Sequence, residues 1–273
     1  MQYDGNTQVY GIIGDPVSHS LSPAMHNAAF RELELNKVYV PFPLRDLGPA
    51  MLGLHALGVK GLSVTIPHKQ AVLPYLAAID AVAAKIGAVN TLVAGEYGFT
   101  GYNTDWLGAN AALRQALEPQ GKRILILGAG GSARAIGFGL LESGATVLLA
   151  SRTAGKGQAL AATLGCEWFP LAELGDLAAD ALINATSVGM APESDNTPLA
   201  ARHLHNFPVV MDIVYAPLAT RLLREAIGAG CQVVDGLAML LHQGVAQFEL
   251  WTGRPAPVEV MRQSLLAWLA RRQ

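Results

Sequence analysis

Short apolar runs alternate along the chain with longer segments in which apolar residues recur every three or four positions. The apolar runs predict strands at residues 9–13, 38–42, 62–66, 89–93, 123–127, 146–150, 181–184, 209–212 and 232–234. The longer segments predict helices at 23–33, 47–57, 106–117, 155–164, 221–228, 237–251 and 258–270, another helix ending near 143, and helical material interrupted by Pro74 at 72–86. Strands that alternate with helices indicate parallel sheets covered on both faces.

The order of these elements predicts an α/β chain of two domains. Residues 1–104 are expected to form a substrate-binding and catalytic domain with an open, mostly parallel sheet, and residues 105–236 a Rossmann-type dinucleotide-binding domain. Two closing helices have no strand after them, so residues 237–273 are expected to return to the first domain and complete it. Closure of the domains would need hinges near residues 102–105 and 234–237.

Composition narrows the class of function. Of 273 residues, 51% are hydrophobic and 15% are charged, which is ample material for packed cores. A net charge of -2 argues against a nucleic-acid partner, and no apolar run approaches the roughly 20 residues that span a bilayer. Residues 1–8 are polar, and Cys166 and Cys231 lack metal-ligand spacing. We therefore predict a cytoplasmic protein, monomeric or homodimeric, that binds a small molecule and neither membrane nor metal.

A glycine loop follows the apolar strand at residues 123–127. The pattern is G-x-G-x-x-A, running from Gly128 through Ala129, Gly130, Gly131 and Ser132 to Ala133. Its first glycine allows a tight turn, the second lets the backbone approach a pyrophosphate, and the alanine permits close packing of helix on strand. The amino end of the next helix supplies N–H groups and a positive dipole end for the phosphates. The loop predicts dinucleotide binding.

The end of the next strand indicates which dinucleotide is bound. NAD enzymes place an acidic residue here to bind the ribose hydroxyls, whereas this chain has Ser151, Arg152 and Thr153, with Lys156 nearby. A guanidinium pairs well with a 2′-phosphate, and the two hydroxyls can donate hydrogen bonds to it. The sequence therefore favours NADP over NAD, although a basic loop can also follow a strand without any ligand.

Polar residues gather at the predicted strand ends of the first domain. They are Ser20, Ser22, Thr65, Lys69, Asn90, Thr91, Asn103 and Asp105. At one edge of one sheet they would form a cleft suited to a small polyhydroxylated acid, with Lys69 and Asp105 as the charged pair. Simpler roles stay open: Lys69 as a solvated surface residue, and Ser22 as the N-cap of a helix that has Pro23 at its first position.

Several motifs occur in a fixed order along nearly the whole chain. They are residues 18–23 with His26 and Asn27, 64–69, 87–91, 103–105, 128–133, 151–153, 184–190, 212–215, and 235–236 with Met239, Leu240 and Gln243. This combination resembles the shikimate dehydrogenase family. The resemblance implies reversible NADP-linked reduction of 3-dehydroshikimate to shikimate, a step toward chorismate and the aromatic amino acids.

The resemblance also implies residue roles. Lys69 and Asp105 would be the catalytic pair, and Ser20 and Ser22 would hold the substrate carboxylate. Thr65, Asn90, Asp105 and Gln243 would contact the ring hydroxyls. Tyr215 would lie on the nicotinamide side and contact the substrate. The cofactor would further contact Ala185, Thr186, Ser187, Gly189, Met190, Ile213, Gly236 and Met239.

The sequence departs from the family pattern at three positions. Ser63 replaces an asparagine, Trp106 replaces a glycine, and His242 stands where small or apolar residues are common. A lost hydrogen-bond partner in a polar site can change substrate discrimination by orders of magnitude. Two alternatives therefore stay open: a paralogue acting on quinate or another hydroxylated ring acid, and a non-catalytic NADP-binding sensor.

Overall fold

The structure, a computed structural model, describes residues 3–271 and divides into two compact units. The first unit contains the described residues up to Thr104 together with those from Gly244 onward, and the second unit is Asp105–Gln243. The sequence predicts that the second domain ends at residue 236. In the structure the second unit continues to Gln243 and therefore includes the first turns of the helix that follows.

The strands and helices are numbered in chain order. The strands are β1 Gln8–Gly14, β2 Lys37–Pro43, β3 Gly61–Val64, β4 Ala78–Ile79, β5 Thr91–Ala94, β6 Phe99–Tyr102, β7 Arg123–Leu127, β8 Thr146–Ser151, β9 Glu167–Pro170, β10 Ala181–Asn184, β11 Val209–Asp212 and β12 Gln232–Val234. The helices are α1 Ser22–Glu32, α2 Leu47–Ala56, α3 His68–Ala71, α4 Ala81–Ile86, α5 Asp105–Leu113, α6 Gly131–Glu142, α7 Ala154–Leu164, α8 Arg221–Gly228, α9 Gly236–Thr252 and α10 Val258–Ala270.

Within the described residues the first unit holds a six-stranded sheet in the order β2-β1-β3-β5-β6-β4. Neighbouring strands run parallel except for β5, which is antiparallel to both β3 and β6. The predicted mostly parallel sheet is therefore confirmed. Reversal of β5 brings its amino end to the edge where β1, β3 and β6 end, and this edge carries the polar residues described below.

The first unit also contains the last helix of the chain. Helix α10 packs against α1, and the Ser264 hydroxyl donates a hydrogen bond of 2.9 Å to the Ala24 carbonyl. Met261 and Leu265 of α10 have no exposed surface. Because burying apolar surface drives packing, these side chains fix the C-terminal helix to a unit whose sheet lies entirely within the first part of the sequence.

In the part of the chain that the structure describes, the second unit holds a six-stranded sheet in the order β12-β11-β10-β7-β8-β9. All of its paired strands are parallel, and this order is the doubly wound dinucleotide-binding arrangement. Ile124 and Ile126 of β7 pack in one buried cluster, and Leu125 and Leu127 pack in another. Alternate residues of a strand face opposite sides, so the apolar run of β7 is explained by helices on both faces.

Three parts of the sequence prediction are wrong in detail. Residues 72–86, predicted as helical material interrupted by Pro74, contain a 3-10 turn at Leu73–Tyr75 and the helix α4, with the unpredicted edge strand β4 between them. Pro74 lacks the N–H that a longer helix would need. Strands β4, β6 and β9 were not predicted; β4 and β9 are short edge strands. Helix α1 begins at Ser22 and not after it, with Leu21 at the N-cap position.

No helix in residues 3–271 is both long and apolar enough to span a membrane. Over the same range, no group of three His, Cys, Asp or Glu side chains is arranged to hold a metal ion.

Candidate active site

The polar edge of the first unit is built by three neighbouring strands. Strand β1 pairs with β3 so that Ile13 lies opposite Val64, and β3 pairs with β5 so that Ser63 lies opposite Thr91. The segments that follow β1 and β3, and the residue that precedes β5, therefore emerge at the same edge. The structure places Ser20, Ser22, Thr65, Lys69, Asn90 and Thr91 in or next to these segments.

Backbone hydrogen bonds fix the segment that carries Thr65 and Lys69. The Thr65 N–H donates to the Ile13 carbonyl at 2.9 Å, and the Lys69 carbonyl accepts from the Val89 N–H at 2.8 Å. Both side chains are half-buried. His68 is buried, and its ring nitrogen Nε2 lies 2.7 Å from the Leu44 carbonyl, so this histidine supports the loop. Lys69 is thus presented from an anchored turn.

Ser20 and Ser22 share a turn at the start of α1. The Ser22 N–H donates to the Ser20 hydroxyl at 3.2 Å, and the Ser22 hydroxyl does not cap the helix. The expectation that Ser22 is the N-cap is therefore wrong. Leu21 has no exposed surface and its carbonyl accepts from Met25, so the helix begins one residue earlier than predicted. The hydroxyl of Ser22 is left available for another role.

Asn90 is buried and holds the segment that leads into α5. Its side-chain oxygen Oδ1 accepts hydrogen bonds from the Thr104 N–H at 2.7 Å and from the Thr91 hydroxyl at 2.7 Å. Its amide nitrogen Nδ2 lies 3.0 Å from the Thr104 hydroxyl. Asn103 is also buried, and its side-chain amide donates to the Ala88 carbonyl at 2.9 Å. The residue just before Asp105 is therefore tied to the polar edge.

In the second unit, Asp105 and Gln243 belong to helices that approach each other closely. Asp105 is 4% exposed and opens α5; Gly108 lies one turn later on the same face. A Cβ atom on Gly108 would lie 2.8 Å from the backbone nitrogen of Gln243. Only a glycine permits this approach, so α5 and the first turns of α9 bring the two predicted site residues toward the same region.

The glycine loop lies at the carboxyl edge of the second sheet. Gly128 has a backbone φ of +119°, and a Cβ atom there would lie 2.9 Å from the Thr186 methyl group. Gly130 is exposed, occupies the N-cap position of α6 without a side-chain cap, and would place a Cβ in open space. Ala133 is fully buried against the core. A tight turn, an open backbone face and an uncapped helix end are the features that a pyrophosphate requires, so the loop fits a dinucleotide.

The basic segment after β8 emerges beside that loop. The Gly128 N–H donates to the Ala150 carbonyl at 2.8 Å, and Arg152 follows two residues later. Arg152, Thr153 and Lys156 are exposed, and Arg152 forms no ion pair within the described residues. Ser151 differs, since it is 5% exposed and its hydroxyl accepts from Trp168 at 2.9 Å and donates to the Thr153 carbonyl. Its side chain supports the segment from inside.

A buried hydrogen-bond network joins the ends of β10 and β11. The Asp212 carboxylate accepts from the Asn184 amide at 2.9 Å, the Val214 N–H at 3.0 Å and the Thr220 hydroxyl at 2.7 Å. Burial raises the pKa of Asp212 to about 6, although these donated hydrogen bonds oppose the shift. Asn184 also accepts from the Thr186 hydroxyl at 2.7 Å. This network orders the two loops that carry the residues predicted to lie near the nicotinamide.

The remaining predicted cofactor residues lie in or next to these loops. Ala185 and Met239 are buried, Thr186, Met190, Ile213 and Tyr215 are half-buried, and Ser187 is exposed. Gly189 is buried with a φ of +91°. Gly236 abuts the backbone of Ile213, since a Cβ atom there would lie 2.5 Å from that carbonyl oxygen. Strands β8, β7, β10 and β11 are successive neighbours, so their following loops share one edge.

The three departures from the family pattern have structural roles. Ser63 is 5% exposed and is hydrogen-bonded to Tyr39 and Gln247. Trp106 packs edge-on against Phe138, with ring centroids 5.8 Å apart. The ring of His242 lies 3.4 Å from the Gln115 amide. Each side chain has a partner within its own unit.

Sequence reasoning missed two residues that organise the candidate site. Gln247 is 1% exposed and lies one helical turn after Gln243 on α9. Two glutamines four residues apart in an apolar helix indicate a functional or structural hydrogen-bond network, because a buried amide must find partners. Asp212 is the second of these residues. An acidic residue at the end of an apolar strand suggests either a ligand contact or a hydrogen-bonded turn, and the structure shows the turn.

The fold defines a class: a two-unit α/β protein whose second unit has the sheet order and glycine loop of dinucleotide-binding proteins. Comparison with known proteins narrows this class. Residues 12–92 match the family model described as the shikimate dehydrogenase substrate binding domain, and residues 236–266 match that of the shikimate 5'-dehydrogenase C-terminal domain.

Relatives that match nearly the whole chain belong to the same family. The chain is 48% identical to the shikimate dehydrogenase (NADP(+)) of Methanothermobacter thermautotrophicus, covering 98% of this chain and 99% of that protein. A crystal structure of a shikimate dehydrogenase in complex with NADP+ aligns with a TM-score of 0.92 at 39% identity, covering 98% of both chains. The Thermus thermophilus shikimate 5-dehydrogenase in complex with NADP(H) and shikimate aligns with a TM-score of 0.87 at 37% identity, covering 95% of this chain and 99% of that one. The chain belongs to the shikimate dehydrogenase family.

Proposed function

We propose that this protein is an NADP-dependent shikimate dehydrogenase that interconverts 3-dehydroshikimate and shikimate. The observation that carries the proposal is the match of nearly the whole chain, in sequence and in fold, to enzymes of this name. A relative with a structure containing both NADP(H) and shikimate supports the choice of both ligands. The polar edge of the first unit and the glycine loop of the second unit supply chemistry that suits them.

The second unit would hold the cofactor. Gly128, Gly130 and the amino end of α6 would face the pyrophosphate, and Arg152, with Thr153 and Lys156, would face the 2′-phosphate. The exposed guanidinium and the lack of an acidic residue in the segment from Ser151 to Lys156 favour NADP over NAD. The network around Asp212 would keep the loops after β10 and β11 in place beside the nicotinamide.

The first unit would hold most of the substrate. Ser20 and Ser22 would bind the carboxylate, and the Ser22 hydroxyl is not used as a helix cap. Thr65 and Asn90 would contact ring hydroxyls from anchored backbone positions. Gln243 and Tyr215 are also proposed to contact the substrate. Hydroxyl and amide groups of this kind discriminate well between polyhydroxylated acids.

Proton transfer would belong to Lys69 with Asp105. When NADPH is bound, it supplies the hydride that reaches the carbonyl carbon of the substrate. Negative charge then develops on the carbonyl oxygen, and the Lys69 ammonium would stabilise it and donate a proton. Asp105 would orient the ammonium and accept a hydrogen bond from a neighbouring ring hydroxyl. In the oxidative direction Lys69 would accept the hydroxyl proton.

One assay tests this proposal against the alternatives. Formation of NADPH from NADP+, or of NADH from NAD+, is followed with shikimate and then with quinate as the reductant. We expect shikimate with NADP+ to give the highest kcat/KM. Faster turnover of quinate would identify a paralogue with another substrate. No reduction of either cofactor by either acid would contradict the dehydrogenase and favour an NADP-binding sensor.

A further inference from the structure

A continuous chain of buried hydrogen bonds runs through the first unit beneath its polar edge. The Tyr39 hydroxyl lies 2.6 Å from the Ser63 hydroxyl, which lies 2.8 Å from Oε1 of Gln247. Nε2 of Gln247 lies 2.9 Å from the Thr91 hydroxyl, which lies 2.7 Å from Oδ1 of Asn90. These five residues are each buried, and the chain ends on a residue of the proposed substrate site.

Two backbone groups determine the direction of every hydrogen bond in this chain. The Asn90 carbonyl lies 3.0 Å from the Gln247 side chain and can only accept, so the amide nitrogen of Gln247 faces it. The amide oxygen of Gln247 then faces Ser63, which must donate, and Tyr39 must donate to Ser63. At the other end, the Thr104 N–H can only donate, so it faces the side-chain oxygen of Asn90. Thr91 therefore accepts from Gln247 and donates to Asn90.

We propose that Gln247 is a positioning residue for shikimate: through Thr91 and the Asn90 backbone, and together with the Thr104 N–H, it holds the orientation in which the Asn90 carboxamide meets the substrate. This inference rests on the proposed function for the identity of the ligand. A carboxamide has a donor end and an acceptor end, so a wrong orientation would replace an attractive contact with a repulsive one. The Thr104 N–H and Gln247 hold that orientation together. Gln247 binds the Asn90 backbone carbonyl, and by donating to Thr91 it leaves the Thr91 proton for the same Asn90 oxygen that faces the Thr104 N–H.

The hydrogen-bond chain also explains why a serine at position 63 suits this structure. Its single proton is donated to Gln247 and it accepts the proton of Tyr39, so its hydroxyl is committed to the interior. Tyr39 is held in turn by the imidazole of His26, with ring centroids 4.6 Å apart. Ser63 would therefore affect substrate binding only indirectly, by holding Gln247. The hydroxyls on the substrate ring would be contacted by Thr65 and Asn90.

The test compares Gln247→Met with Phe248→Leu in the full-length protein. Methionine keeps the length of the side chain and removes both polar ends. Phe248 is a buried neighbour on the same helix that packs against Phe30 and takes no part in the chain, so its variant controls for loss of packing. We expect Gln247→Met to raise the KM for shikimate about 10-fold or more and to leave the KM for NADP+ within about twofold. Phe248→Leu is expected to leave both KM values unchanged.

A second measurement does not depend on turnover. The side-chain amide of Asn90 is observed by NMR in protein labelled with 15N-asparagine and assigned through Asn90→Asp. Its resonances are expected to move in Gln247→Met and to stay in place in Phe248→Leu. Equal effects of the two variants on the KM for shikimate, or an unmoved Asn90 amide, would overturn the inference. A wild-type protein that does not oxidise shikimate would contradict the proposed function, and the NMR comparison would still decide the role of Gln247.

Discussion

At the scale of single residues, the proposed chemistry depends most on Lys69. Its backbone is fixed by the hydrogen bond from Val89, and its half-buried side chain lies on the short helix α3. We predict that Lys69→Ala lowers kcat by at least about 100-fold, the scale of a lost acid-base group, with little change in the KM for shikimate. Steady-state kinetics in both directions measure this split between kcat and KM.

The matched control is Lys85→Ala, which removes an exposed lysine from α4 in the same unit. It is expected to leave kcat unchanged. Turnover close to wild type in Lys69→Ala would remove this lysine from the mechanism, whatever the assignment of the family.

In the proposed function, Arg152 sets the preference for NADP over NAD. Its guanidinium is exposed at the edge where the glycine loop emerges, and it forms no ion pair in residues 3–271 that would compete for a phosphate. We predict that Arg152→Ala raises the KM for NADP+ about 10-fold or more, since hydrogen bonds to charged groups contribute roughly 1.5–3 kcal/mol. The KM for NAD+ should not change. Arg202→Ala, at another exposed position of the second unit, should change neither KM value. An equal rise in the KM for NADP+ and for NAD+ in Arg152→Ala would contradict the assignment.

Single residues also show what the sequence could and could not reveal. The meeting of Ser20 and Thr65 at one edge was predictable, because they follow the parallel strands β1 and β3. Asn90 reaches this edge for another reason, since it precedes β5, which runs antiparallel to its neighbours. The commitment of Ser63 to Tyr39 and Gln247 was not predictable, because those partners lie 24 and 184 residues away in the chain. Hydrogen bonds over such separations follow from the tertiary fold and leave no local pattern.

At the scale of elements, Asp212 joins the ends of β10 and β11 to Thr220, the N-cap residue of α8. Burial raises its pKa to about 6 from an ordinary value of 3.8. Between these values the folded protein binds a proton that the unfolded chain has released. The free energy of unfolding contributed by this group is therefore highest at the acidic end and falls as the pH rises through the window, by up to about 3 kcal/mol.

We predict that Asp212→Asn removes this part of the pH dependence. Denaturant unfolding of the wild type and the variant from pH 4 to pH 7 would measure it, with Asp176→Asn, at an exposed position of the same unit, as the control. The difference in unfolding free energy between wild type and Asp212→Asn should change between pH 4 and pH 7. The difference between wild type and Asp176→Asn should stay constant over the same range. A constant difference at all pH values would show that Asp212 does not titrate there.

The elements that were predicted correctly are those with strong local patterns. Strand β7 is a dense apolar run buried on both faces, and α8 has a Thr220 side-chain cap that accepts from the Leu223 N–H. The missed strands β4 and β9 pair on one side only, and β4 has just two residues. Their existence depends on the neighbouring strand that offers hydrogen bonds, so short-range periodicity carries little information about them.

At the scale of the whole molecule, the two units differ in how the chain builds them. The second unit is one continuous segment, whereas the first needs residues from both ends of the sequence. Helix α10 therefore contributes to a unit whose sheet is complete more than 150 residues earlier. Loss of packing in α10 should open the first unit while the second keeps its own core.

Leu265 and Leu266 are adjacent leucines of α10 that provide a matched test of this idea. Leu265 has no exposed surface, and Leu266 is 41% exposed. Leu265→Ala should destabilise the first unit by about 2–5 kcal/mol, the cost of a cavity in a packed core, and Leu266→Ala by much less. Hydrogen exchange read by mass spectrometry should show faster exchange in peptides from residues 3–104 and 244–271, with little change in peptides from 105–243. If Leu265→Ala accelerates exchange equally in all peptides, the units open together and the chain behaves as one cooperative body.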